Sequence, residues 1–151
     1  MFQSAHAQGT DWQSALDDCL HELTDNPGAT LGFVYVTDAI APYLAAILEV
    51  LKTDTGIEKW VGSAGLGVCA LGGSGGHEYF DVPAIAVMTA VLPVDDFDIL
   101  PTIDAVDMEE YESDPVNDNF LTGPPLVLLH ADCANEEVLE IIDDIAIESE
   151  G

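Results

Sequence analysis

Four histidines, three cysteines and 29 carboxylates are the groups with which this chain could do acid–base, nucleophilic or metal chemistry. Their spacing is the first test. His77, Glu78 and Asp81 cluster behind a run of glycines, and His130, Asp132 and Cys133 form a second cluster. Neither has the His-Glu-x-x-His spacing that sets two imidazoles on one helical face, nor the paired cysteines of a zinc site. Cys133 stands three residues from His130, a separation that does not by itself aim a thiol at a base. Among so many carboxylates no spacing separates a working pair from solvated neighbours, so no catalytic residue is assigned and the expectation is a binding protein, not an enzyme. A hydrolase using Cys133 or surface carboxylates is the alternative from that class.

Binding chemistry has a better candidate. Seven glycines fall between Gly62 and Gly76, and only two of the 29 acids lie in residues 61–92, whereas ten crowd residues 93–124. Charge is excluded from interiors and ligand cavities, so a pocket has its floor in this stretch. The main chain of Gly62, Ser63, Ala64 and Gly65 and of Gly75 and Gly76 would offer amides to an anionic or carbonyl end of a small ligand, with Ser63 as a hydroxyl partner and His77 as the polar or axial group. The competing reading is a chain reversal, a wide hairpin or loop in which glycine permits close backbone approach. The letters Gly65-Leu66-Gly67-Val68-Cys69-Ala70 imitate a dinucleotide fingerprint. No helix can start there, because Leu71-Gly72-Gly73-Ser74-Gly75-Gly76 follows, and no acid stands about 20 residues on.

These groups must be positioned by a chain of 151 residues, 48% apolar, which is enough for one ordinary domain with a real core. Two Lys+Arg against 29 Asp+Glu give a net charge of −27, a field that repels phosphate backbones and anionic membranes. Nucleic acid is not an expected partner. The same charge suits a cationic ligand, a basic protein partner or high salt, and an acidic protein-interaction module is a further alternative. Cys19, Cys69 and Cys133 are odd in number and widely spaced, which fits a reducing cytoplasm better than a disulfide framework. No apolar run approaches the roughly 20 residues of a membrane span, so no membrane contact is expected of this region.

Trp12, Ala15, Leu16, Cys19, Leu20 and Leu23 recur at helical spacing behind the potential caps Thr10 and Asp11. Residues 31–37 read as a buried strand. Ile40, Tyr43, Leu44, Ile47, Leu48 and Leu51 mark a second helix, with Asp38 as its cap, Pro42 in its first turn and Gly56 at its end. A strand from Trp60 into the glycines then completes a βαβ unit. Residues 84–92 carry no charge on either face, the pattern of a strand covered on both sides. Residues 93–124 are an acidic surface excursion. Residues 126–130 return to strand character, and Val138 to Ile145 make a last helix after Asn135. The fold class expected is α/β: a mixed, partly parallel sheet with a βαβ unit and helices packed on both faces, forming a single domain over residues 1–151.

The series LGFVYVTDAIAPYLAAILEVL, then WVGSAGLGV, the glycine turn and VPAIAVMTAVLP resembles the N-terminal FIST domain, a bacterial sensory family. Val61-Gly62-Ser63-Ala64-Gly65 and Pro83-Ala84-Ile85-Ala86-Val87 are the matching residues, and the resemblance covers roughly residues 29–93. It implies a ligand-sensing domain that binds a small molecule such as an amino-acid-like metabolite. Some members resemble haem-holding nitric-oxide sensors, which would make His77 or His130 a haem ligand. The partners implied are a C-terminal FIST domain and a signalling output such as a kinase, a chemoreceptor or a cyclic-dinucleotide enzyme, in a protein longer than this chain. Extreme acidity is not part of the family pattern, and no catalytic residue is carried over.

Overall fold

The computed structural model describes residues 1–23, 26–72, 75–99, 126–131 and 134–150. It divides into two compact units, Met1–Asp95 and Asp96–Gly151.

In the first unit, strand β1 (Phe2–Gln8) leads into helix α1 (Trp12–Glu22). Asp11 caps α1 in a capping box: its carboxylate accepts the Ser14 amide N–H at 2.8 Å, and the Ser14 hydroxyl oxygen accepts the Asp11 N–H at 3.3 Å. That charge-assisted bond to the Ser14 amide lowers the Asp11 pKa. Strand β2 (Leu31–Thr37) runs into a 3-10 helix (Asp38–Tyr43) that contains Pro42, and α2 (Leu44–Thr55) follows. Asp38 is therefore the first residue of a 3-10 turn and not the cap of a single helix. Pro42 supplies no amide donor, which a short 3-10 segment tolerates better than a continuous α-helix. Gly56 closes α2 in the left-handed conformation, as its position predicts.

Strands β3 (Lys59–Gly65), β4 (Gly67–Gly72), β5 (Gly75–Phe80) and β6 (Ala84–Ala90) complete the unit. The main sheet has the order β1-β6-β2-β3, with β2 and β3 parallel and β6 antiparallel to both β1 and β2. This is the mixed, partly parallel α/β sheet with its βαβ unit. Strands β4 and β5 form a separate antiparallel hairpin.

The cover of the sheet differs from expectation. Within this unit both helices pack on one face, where Ala15, Leu16 and Cys19 of α1 and Ile47 and Leu51 of α2 meet Ala5, Val34, Val36, Ile85 and Val87. The other face is covered by the hairpin: Val68 and Tyr79 pack on Ala84 and Ala86, with Tyr35, Ala70 and Val82 alongside. Glycine-rich strands leave the hairpin thin enough to lie flat there. Strand β6 sorts its side chains to match, turning Ile85 and Val87 to the helices and the small Ala84 and Ala86 to the hairpin. Two threonines at the ends of β2, Thr30 half-buried and Thr37 buried, tie it to the chain flanking β6. Thr30 Oγ1 donates to the Leu92 carbonyl at 2.6 Å and Thr37 Oγ1 donates to the Val82 carbonyl at 2.6 Å.

The second unit contains α3 (Val138–Glu150), preceded by a turn in which Asn135 Oδ1 accepts the Glu137 N–H at 2.9 Å. Residues 126–130 are not a strand. They are irregular, with Leu126 90% exposed and Leu128 66% exposed. An apolar, strand-forming composition needs a neighbouring ladder before it becomes a strand, and the described sheets contain none with these residues. The acidic stretch lies almost wholly outside the described residues, as do Asp132 and Cys133.

Two consequences can be measured. Gly62 sits at φ 156°, and a Cβ built on it would lie 1.7 Å from the Val34 carbonyl oxygen. Gly62→Ala is expected to lower stability by at least about 2 kcal/mol in urea unfolding, whereas Gly76→Ala, whose Cβ would make ordinary contacts, should change little. Burial, reinforced by the Glu22 charge, pushes the Cys19 thiol up from 9.0 to about 12. The unfolded thiol ionises first, so this contribution is intact below pH 9 and is lost as pH rises toward 12, by on the order of 4 kcal/mol in total. Cys19→Ala should show a shallower fall in unfolding free energy between pH 8 and pH 11 than the parent chain.

Candidate functional site: the hairpin anchor on strand β1

Strand β1 alternates Gln3, Ala5 and Ala7 with Ser4, His6 and Gln8, and its register against β6 sets Ala5 opposite Val87 and His6 opposite Ala86. Since Ala5 and Val87 belong to the helix-side core, His6 projects to the hairpin side. The hairpin leaves the β3 edge at Gly65, passes over β2 and β6, and reaches β1 at its far end. There Ser4 Oγ donates to the Leu71 carbonyl at 2.9 Å. A Cβ on Gly72 would sit 3.0 Å from the His6 ring, so the glycine lets the imidazole lie against the main chain.

His6 is 3% exposed and both its ring nitrogens are engaged. Nε2 lies 2.9 Å from the Gly75 carbonyl oxygen and Nδ1 lies 2.7 Å from the Tyr79 hydroxyl. A carbonyl can only accept, so Nε2 carries the proton; in the neutral ring Nδ1 then accepts the Tyr79 O–H. Tyr79 is itself buried, and burial, with the Cys19 and Glu22 charges adding, raises its pKa. The hydroxyl is thereby kept in the protonated form that the bond requires. His77 lies beside this pair. Its ring centroid is 5.3 Å from that of His6, and its plane is nearly parallel to Tyr79, at 10° and 6.0 Å. In the hairpin register Ala70 faces His77 and Val68 faces Tyr79, so these four residues share the sheet-facing side while Cys69 and Glu78 share the outer side.

The residues anticipated as a ligand site fall into two places. Gly75, Gly76 and His77 are at the anchor: the Gly75 carbonyl holds His6, and Gly76 and His77 are exposed. Gly62, Ser63, Ala64 and Gly65 lie in strand β3, at the opposite end of the sheet order from β1. Three interstrand spacings of about 4.8 Å, or roughly 14 Å, separate those strands, so one small ligand does not span them. Ser63 pairs with Tyr35 in register, and Ala64 and Gly65 are exposed.

His77 and Glu78 point to opposite sides of β5, and Asp81 lies beyond its end at φ 57°. Among the described residues no group of three or more His, Cys, Asp or Glu is placed to hold a metal. The surroundings of His77 do not fit an axial haem ligand either. The ring is exposed, it stacks flat on Tyr79, and the neighbouring imidazole has no free nitrogen. His130 is half-buried in the second unit.

His6 and Tyr79 escape the sequence reading. Ser4, His6 and Gln8 alternating with Ala5 and Ala7 is the faint trace of a half-buried strand, and His77-x-Tyr79 has the same period. Comparison with protein-family models, with curated proteins and with solved structures finds no match for this chain.

Breaking the anchor gives a direct check. Tyr79→Phe leaves the buried Nδ1 without its donor and is expected to cost about 1–3 kcal/mol in chemical denaturation. His6→Ala removes the partner of both the Gly75 carbonyl and the Tyr79 hydroxyl and should cost more. In the double variant the two losses should fall short of additive.

Proposed function

We propose that this chain is a small-molecule sensory domain whose ligand is read at the outer end of the hairpin. The observation that carries this reading is the polar anchor itself. Within a largely apolar contact between hairpin and sheet, His6, Tyr79 and the Gly75 carbonyl are gathered at one end, with an exposed imidazole, His77, and the bare main chain of Gly76 beside them. Such a place offers a donor or acceptor ring, an aromatic face and an uncovered peptide group to a small carboxylate or amide. An amino-acid-like metabolite has those complementary groups. The resemblance of residues 29–93 to the N-terminal FIST domain supports the same class.

Ligand contact would favour one of two positions of the hairpin, and a signal would follow from that shift. The reading includes a cytoplasmic setting in a bacterial signalling protein and an output module as partner. In its favour, no helix of the described residues is long and apolar enough to cross a membrane, and the described cysteines, Cys19 and Cys69, are both free.

A thermal-shift screen of the proteinogenic amino acids, each at millimolar concentration, tests the proposal. A ligand held at a hundredfold excess over its Kd stabilises by about 2.7 kcal/mol, which raises the melting temperature by several degrees. The shift should vanish in His77→Ala and persist in Ser63→Ala. A shift that survives His77→Ala, or a screen in which no amino acid moves the melting temperature, overturns it.

A further inference from the structure

The geometry points to a proton-operated latch: His6 fastens the β4–β5 hairpin to β1 only while its ring is neutral, and acid releases the hairpin from the sheet. This inference rests on the anchor geometry and stands whether or not a ligand binds beside it.

The latch has one vulnerable atom. Nε2–H is committed to the Gly75 carbonyl, so an incoming proton can only go to Nδ1, the lone pair that the Tyr79 hydroxyl occupies. Proton and tyrosine compete for one site. If the bond instead reverses, so that Nδ1–H donates to the tyrosine oxygen, the Tyr79 proton loses its acceptor and a charge stands in a residue that is 3% exposed. Imidazoles as a class change charge between about pH 5 and 8, which sets the two pH values at which the latch is tested.

The groups facing His6 offer the cation little compensation. From β5 come Tyr79 and a second imidazole, His77, whose own protonation would add a like charge 5.3 Å away between ring centres. From β4 comes Gly72, and from β6 the register neighbour Ala86, both uncharged. Among the described residues, Glu22 of α1 is a carboxylate that reaches the anchor electrostatically, through Tyr79. In a chain with 29 acids, both nitrogens of this buried imidazole are held by groups that are not carboxylates, the Gly75 carbonyl and the Tyr79 hydroxyl.

The hairpin is built to move as one piece. It joins the sheet through Gly65-Leu66-Gly67, where Leu66 is 79% exposed, and through Asp81-Val82-Pro83, where Asp81 already holds a positive φ. A two-stranded hairpin is marginal alone, so its order depends on docking. Losing the anchor therefore loosens it while the two-sided β2–β6 pair keeps its ladder.

Amide hydrogen exchange on the full chain, at about pH 7.5 and about pH 5 and expressed as protection factors corrected for intrinsic exchange rates, tests the latch. The parent chain should lose protection roughly tenfold or more over residues 67–72 and 75–80 at the lower pH, with β2 and β6 unchanged. Tyr79→Phe, which keeps the ring in place, should show low hairpin protection at both values and no further fall. His77→Gln should retain the pH response. Protection that is constant with pH, that falls equally in β2 and β6, or that loses its pH response in His77→Gln overturns the proposal. Nitrogen chemical shifts of His6 give a second reading: at neutral pH they should report the Nε2–H tautomer, and an Nδ1–H tautomer refutes the latch even where a variant fails to fold.

Discussion

The central constraint is that β2 and β6 are apolar on both faces and must be covered on both. Val34, Val36, Ile85 and Val87 face one way, while Phe33, Ala84 and Ala86 face the other, all of them buried. In the unit that holds the sheet, the two helices occupy one side only, so the second side falls to a hairpin of two six-residue strands. Such a hairpin has no core of its own, and its structure is borrowed from the surface it lies on. Every interaction that docks it therefore counts twice, once for the contact and once for the order it imposes.

Apolar contact alone specifies that docking weakly. Val68, Tyr79, Ala84 and Ala86 are few and two of them are alanines, so sliding the hairpin by a residue would sacrifice little buried area. The hydrogen bonds of His6 remove that freedom, since displaced partners would leave its buried ring nitrogens unsatisfied at about 1–3 kcal/mol each, and Ser4 adds an exposed bond in the same register. Small side chains on β6 and glycine at position 72 bring the main chains close enough for these bonds to form. Apolar burial supplies the attraction and the histidine supplies the register.

How much of this was legible in the sequence follows from how local each signal is. Helix α1 and the strands β2, β3 and β6 are readable because their periodicity and punctuation lie within a few residues, as with the Asp11 cap, the Gly56 stop and the uncharged run from Ala84. Strand β1 is not, because seven mostly small and polar residues become a strand only through pairing with a segment some 80 positions away. The same holds for β4 and β5, whose glycines weaken any propensity and whose existence depends on the face beneath them. Residues 126–130 err in the other direction: strong composition, no ladder. The anchor was half visible. His77 stood out beside the glycines, but its buried counterpart His6 sits in a segment that carries no motif, and Gly62 to Gly65 share composition with Gly75 and Gly76 without sharing their place.

The pairing of β1 with β6 also dictates an order of events during synthesis. Residues 2–8 leave the ribosome well before their partner strand, which spans residues 84–90, so this segment waits for all of the chain between them. Until then neither the hairpin nor His6 has a surface to meet. Nascent chains shorter than this would present α1, β2 and α2 with their apolar sides uncovered, a state that calls for chaperone protection until the last strand arrives and the first is drawn in.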